Sequence, residues 1–180
     1  MYHKTSLVDP ILINPQGFVH GLPEFKAVAP LVQEGDLDSA AKEAIELAAE
    51  GYDKVGKVWT ELAFESVRTS EFPEAVSRLS CVFLFENALD AFEALGTWGS
   101  SPTVWRCEIS EDLKTSRCDV DHFVDRQYDV AVQSAWQEKW NRAQSDARRY
   151  WSPGKNPTVE ILVAGPVRLV ERVHLRDFVA

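Results

Sequence analysis

Glu160 is the residue of this chain best placed by type and spacing to do chemistry. It stands in N-P-T-V-E-I-L-V-A-G-P, residues 156–166, where Val159, Ile161 and Val163 alternate on one face of a short strand. Pro157 and Gly165-Pro166 bound that strand, and Glu160 falls on its other face beside Leu162. A carboxylate there can line a cleft; a solvated surface acid is the competing reading. A second signal is Ser77-Arg78 at the entry to S-R-L-S-C-V-F-L-F-E. An arginine entering a buried strand must meet water, a carboxylate or a bound anion, because burying it unpaired is prohibitive. His3 and Thr5 share one face of a first strand, and an imidazole beside a hydroxyl suits hydrogen bonding to a ribose diol or an amide.

Other groupings carry less. Cys118 and His122 with Asp119, Asp121 and Asp125 make only half of a zinc spacing, and a solvated acidic loop accounts for them. Cys81 and Cys107 fall on expected buried strands, where thiols are usually inert. Glu171 is a rival carboxylate, but Arg168 and Arg172 flank it and imply a surface pairing. There is no G-x-S-x-G elbow, no G-x-G-x-x-G and no P-loop glycine pattern.

These residues need elements to position them. Residues 1–35 read as short extended pieces broken by prolines and glycines, with candidate strands at Tyr2 to Thr5, Ile11 to Ile13 and Phe18 to His20. Asp36 to Gly51 reads as a helix capped by Asp38 or Ser39 and ended by Gly51. Tyr52 to Glu71 reads as a second helix, with Val55, Val58, Trp59, Leu62, Ala63 and Val67 on its core stripe and Pro73 forbidding continuation. Cys81, Phe83 and Phe85 alternate with Val82 and Leu84 in a two-sided strand, followed by a helix at Asn87 to Leu95. Thr103 to Ile109 is another strand, and Asp129 to Tyr150 a long helix with Trp136, Trp140, Ala143, Ala147 and Trp151 on one stripe. Val167 to Leu175 alternates as a last strand, expected to pair with Thr158 to Val163 across the Ala164-Gly165-Pro166 turn. The pattern predicts one α+β domain over residues 1–180, a split mixed or antiparallel sheet of short strands with inserted helices.

At 180 residues and 45% hydrophobic content the chain can bury a full core. A net charge of -9 with no basic run disfavours nucleic acid as a partner without excluding it. The three cysteines suit a reducing cytoplasm, and no segment approaches membrane-spanning length.

Three elements stand in a recognisable order: Y-H-K-T in the first strand, S-R-L-S-C-V-F-L-F in the middle and T-V-E-I-L-V-A-G-P near the end. This order resembles the ADP-ribosyltransferase-like superfamily, most of all a group of small bacterial and phage proteins with F-P-x-x-x-S-R before the middle strand, here Phe72 to Arg78. The ending is similar to the third motif of ADP-ribosyltransferases that act on nucleic acid. The resemblance implies a cytoplasmic transferase acting on NAD as co-substrate. Its macromolecular target is a protein or protein complex before a nucleic acid, and its setting that of a phage or bacterial effector. It implies that Glu160 and His3 are catalytic, with Tyr2, His3 and Thr5 toward the NAD ribose. It also implies that Ser77, Arg78 and Ser80 position the cofactor and that Phe83 or Phe85 stacks on nicotinamide. The first strand has no arginine, the middle motif is not S-T-S, and Thr158 stands where such enzymes carry Glu or Gln; target specificity is therefore not carried over. A non-enzymatic interaction or inhibitor protein on the same fold, and an NAD glycohydrolase, are the alternatives.

Overall fold

Asp36 begins a helix because its carboxylate accepts the Ser39 backbone N–H at 3.0 Å, satisfying a donor that the first turn leaves free. The computed structural model of the protein describes residues 12–13, 17, 19–52, 54–97, 104–123, 136–155 and 157–174, with the backbone alone for 13 and 95–97. That capped helix is α2, Leu37–Ala49; the cap is Asp36 and neither Asp38 nor Ser39. Ahead of it lies α1, Pro23–Glu34, where extended pieces were expected. Pro23 occupies the first turn, where its missing N–H costs nothing, and Pro30 is carried inside the helix by the burial of Phe25 and Val28. Val19 and His20 form a bend and turn before it where a strand was expected, and Phe18 lies outside the described residues.

α3, Val55–Glu71, is buried on nearly every side of its central turns. Its long partner is α5, Trp136–Trp151, whose Trp140, Ala143, Ala147 and Trp151 pack inward as the stripe predicted; residues 129–135 of the expected span lie outside the described residues. Between these helices come a 3-10 turn at Arg78–Ser80, strand β2 at Val82–Phe85, α4 at Ala88–Thr97 and β3 at Val104–Glu108. β4, Thr115–Asp119, is a strand where a loop was expected, and a second 3-10 turn, Val120–His122, follows it. β5 is Val159–Val163 and β6 is Val167–Val173.

Among the described residues the strands form two antiparallel sheets, ordered β2-β5-β4 and β1-β6-β3, where β1 is Leu12–Ile13. The expected hairpin between β5 and β6 does not form: residues 164–166 carry the chain from one sheet to the other. A Cβ on Gly165 would sit 2.5 Å from a Leu113 methyl, so a side chain at the crossing would require Leu113 to shift. The architecture is a single α+β domain. Val82, Val163 and Val167, with Leu84, Ile109, Leu113 and Ile161 against them, fill the space behind the central strand β5. The opposite face of β5 meets α3 and α5 through Phe64, Cys118, Ala147, Tyr150 and Leu162.

Candidate functional site

Glu160 projects from the middle of β5 on the face turned to the helices. Across the sheet it is paired with Phe85 of β2 on one side and Cys118 of β4 on the other. Both faces of β5 are covered, so Glu160 is 2% exposed; the expected cleft-facing or wet position is replaced by a buried one. A buried carboxylate needs a partner, and Arg78 supplies it. Ser77, extended, accepts the Leu79 N–H at 3.2 Å and starts the 3-10 turn that turns Arg78 inward beneath the sheet.

The Arg78 guanidinium donates from all three of its nitrogens. Its Nε and Nη2 donate to Glu61 Oε2 and Oε1 of α3 at 2.9 and 3.0 Å, a two-point hold. Its Nη1 donates to Glu160 Oε2 at 2.6 Å and to the Tyr150 hydroxyl of α5 at 2.5 Å. Tyr150 in turn donates to the same Glu160 oxygen at 2.6 Å. The Phe123 ring lies 3.7 Å from the guanidinium carbon, with Phe83 and Tyr150 at 4.8 and 4.9 Å, so aromatic faces wrap the cation. Arg78 is 3% and Glu61 1% exposed. Removing Arg78 from this cluster leaves two buried carboxylates without their cation, a loss of about 3–5 kcal/mol.

Titration follows from this burial. Desolvation raises the Glu61 carboxyl, and Arg78 only partly opposes it because Glu160 and Glu65 add like charge. Desolvation acts to lower Arg78, but Glu61, Tyr150 and Glu160 outweigh it, so the guanidinium is held firmly cationic. Burial likewise lifts the Tyr150 phenol well above its ordinary value. The Cys118 thiol is pushed up to about 12, and Cys81 is raised further, both by burial. Neither is a thiolate nucleophile near neutral pH.

A family model described as "Protein of unknown function (DUF2441)" matches residues 26–175. The chain belongs to the DUF2441 family. No curated protein matches it.

Within this DUF2441 chain the structure brings together Ser77, Arg78, Phe83, Phe85 and Glu160 of the residues singled out by sequence. Ser80 is exposed on the far side of its turn. Tyr2, His3 and Thr5 lie outside the described residues, as does Asp125. Asp119 and His122 approach to 3.8 Å, Asp119 also accepts the Asp121 N–H, and Asp121 takes the Thr158 N–H. These acids therefore organise the end of β4. Among the described residues no group of three or more His, Cys, Asp or Glu converges as metal ligands, and no helix is long and apolar enough to cross a membrane. Glu171 pairs with Arg106, both largely exposed, and Arg168 with Glu108.

Sequence reasoning missed Glu61 and Tyr150. Glu61 follows the core residue Trp59 by two positions, on a helix whose Thr60, Leu62, Ala63 and Phe64 are all buried. A carboxylate in a segment apolar on every other side was the available signal. Gly17 was read as punctuation, but its φ of 64° and a Cβ position 2.3 Å from the Leu79 carbonyl oxygen show why no side chain fits. Its N–H donates to the Cys81 carbonyl at 3.2 Å, fastening the N-terminal segment to the turn that carries Arg78.

Proposed function

We propose that this DUF2441 chain is an NAD-dependent ADP-ribosyltransferase modifying a macromolecular target, with Glu160 as its catalytic carboxylate. The observation that carries the reading is the contact between Arg78 and Glu160, 82 residues apart in sequence, which joins the middle and third motif elements in one cluster. Two antiparallel sheets with inserted helices agree with the fold that the motif resemblance implies. NAD supplies a nicotinamide–ribose bond whose cleavage develops positive charge on the ribose, as in glycoside hydrolysis. Glu160 is the acid that stabilises this charge, and Arg78 and Tyr150 hold its Oε2 in place. The net charge of -9 favours a protein or protein complex over nucleic acid as acceptor.

The test is nicotinamide release from NAD by the wild-type protein and by Glu160→Gln. That variant leaves Arg78 and Glu61 as a neutral pair, so the fold should survive, with melting temperature as the control. The reading expects release to fall by about a hundredfold or more, and equal turnover in both proteins removes Glu160 from the mechanism. NAD should also raise the melting temperature of the wild type.

A second reading, a non-enzymatic interaction or inhibitor protein, is favoured by one observation. Glu160 is buried and Arg78 and Tyr150 already occupy its Oε2. A ribose hydroxyl must reach a carboxylate that is almost closed to solvent and whose Oε2 is already taken. This reading expects no NAD consumption, with or without a host lysate, and stoichiometric capture of a partner. Label from NAD on a macromolecule contradicts it.

A further inference from the structure

Glu61 belongs to none of the three motif elements, yet it makes the two-point contact on which the cluster is built. Its hold on Nε and Nη2 fixes the plane of the Arg78 guanidinium and leaves Nη1 as the one nitrogen facing β5 and α5. Phe123 stacked at 3.7 Å blocks rotation out of that plane. With the plane set, Nη1 meets both the Tyr150 hydroxyl and Glu160 Oε2, and the hydroxyl, accepting from Arg78, has its own proton directed at Glu160. The direction of every donor in the triangle is thereby determined.

We propose that Glu61 is a positioning residue: acting through Arg78, it sets where Glu160 presents its carboxylate and where Tyr150 presents its hydroxyl. The consequence for turnover rests on the transferase reading; the alignment of Arg78 does not. A carboxylate on α3 thus governs a carboxylate on β5 that it does not itself bond.

Two measurements test this. In wild-type protein, nitrogen–proton NMR of Arg78 should show a slowly exchanging Nε–H and separate signals for the two Nη groups, because both edges of the guanidinium are held. Averaged Nη signals with rapid solvent exchange overturn the proposal, and this measurement needs no variant to fold. In NAD turnover, Glu61→Gln should lower kcat by about tenfold or more with KM changed less than about twofold, and Glu61→Asp should recover part of the kcat. An unchanged kcat in Glu61→Gln, or a loss confined to KM, contradicts the role. If the wild type releases no nicotinamide, the transferase reading falls, and the NMR result alone decides whether Glu61 positions the cluster.

Discussion

Toward α1 and α2, the paired helices α3 and α5 bury Val58, Trp59, Leu62, Ala63, Trp140 and Ala143, with the two tryptophans edge to face at 5.1 Å. Toward the β2-β5-β4 sheet, the same two helices bury Glu61 and Tyr150 around Arg78 and Glu160. The first region is held by contacts without direction, where shape and volume decide stability. The second is held by short directional bonds among groups that would each be costly alone. A hydrophobic core can be rebuilt from other hydrophobic residues, but a buried two-carboxylate, one-guanidinium cluster depends on the one cation its carboxylates share. That contrast is the physical reason to look for function on the sheet side.

The largest expected effect comes from breaking the charged set. Arg78→Ala leaves two carboxylates buried without their cation and should cost about 3–5 kcal/mol in denaturant unfolding. Replacing Glu61, Arg78 and Glu160 together by apolar residues of similar volume should restore stability to near the wild-type value or above it. A triple variant as unstable as Arg78→Ala would show that the cluster is a stability element in its own right and would erase the contrast between the two regions.

On the apolar side, Leu62→Ala should cost about 2–5 kcal/mol, since Leu62 is fully buried, and under the transferase reading it should leave kcat intact in the folded fraction. Tyr150→Phe removes one hydroxyl that both accepts from Arg78 and donates to Glu160. About 1.5–3 kcal/mol is the expected loss for bonds to charged groups. Under the transferase reading Tyr150→Phe also lowers kcat, which Leu62→Ala does not. Equal effects of the two variants on kcat would place the directional bonds on the same footing as ordinary packing.

The smallest expected effect is in pH. Glu61 is raised in the folded protein, so it binds a proton more tightly there than in the unfolded chain. Its stabilising contribution is full below the ordinary carboxylate range and is lost as pH rises through its folded value. The melting temperature of wild type relative to Glu61→Gln should therefore climb as pH falls through the weakly acidic range. Glu71, which Arg148 holds below its ordinary value, has the opposite sign: its contribution is present above the unfolded value and fades as pH falls. Being exposed, that pair should respond to salt while the Glu61 difference should not.

Periodicity made α3, α5, β2 and β5 legible, because each alternates or repeats against a packed layer: Val159 and Val163 do face away from Glu160, and Trp140 and Ala147 do face the core. Sheet partnership was not legible. Gly165-Pro166 signals a change of direction but not whether the chain returns beside β5 or crosses to the second sheet. α1 was hidden because Pro23 and Pro30 read as breakers, although one sits where a helix tolerates proline. Of the site, Arg78 and Glu160 were singled out by type and position. An arginine entering a buried strand must meet water, a carboxylate or a bound anion, a choice that includes the contact found but does not say which carboxylate makes it. Glu61 is 17 residues and Tyr150 72 residues from Arg78, and only tertiary packing brings them together.

The central claim is that Glu160, held by Arg78 and Tyr150, transfers ADP-ribose from NAD to a macromolecule. The most direct measurement is to incubate the protein with adenylate-labelled NAD and a cell lysate and to separate macromolecules from small molecules. The account predicts label in a discrete macromolecular band with wild type and none with a folded Glu160→Gln. No labelled macromolecule and no released nicotinamide with wild type, or undiminished labelling by Glu160→Gln, would contradict it.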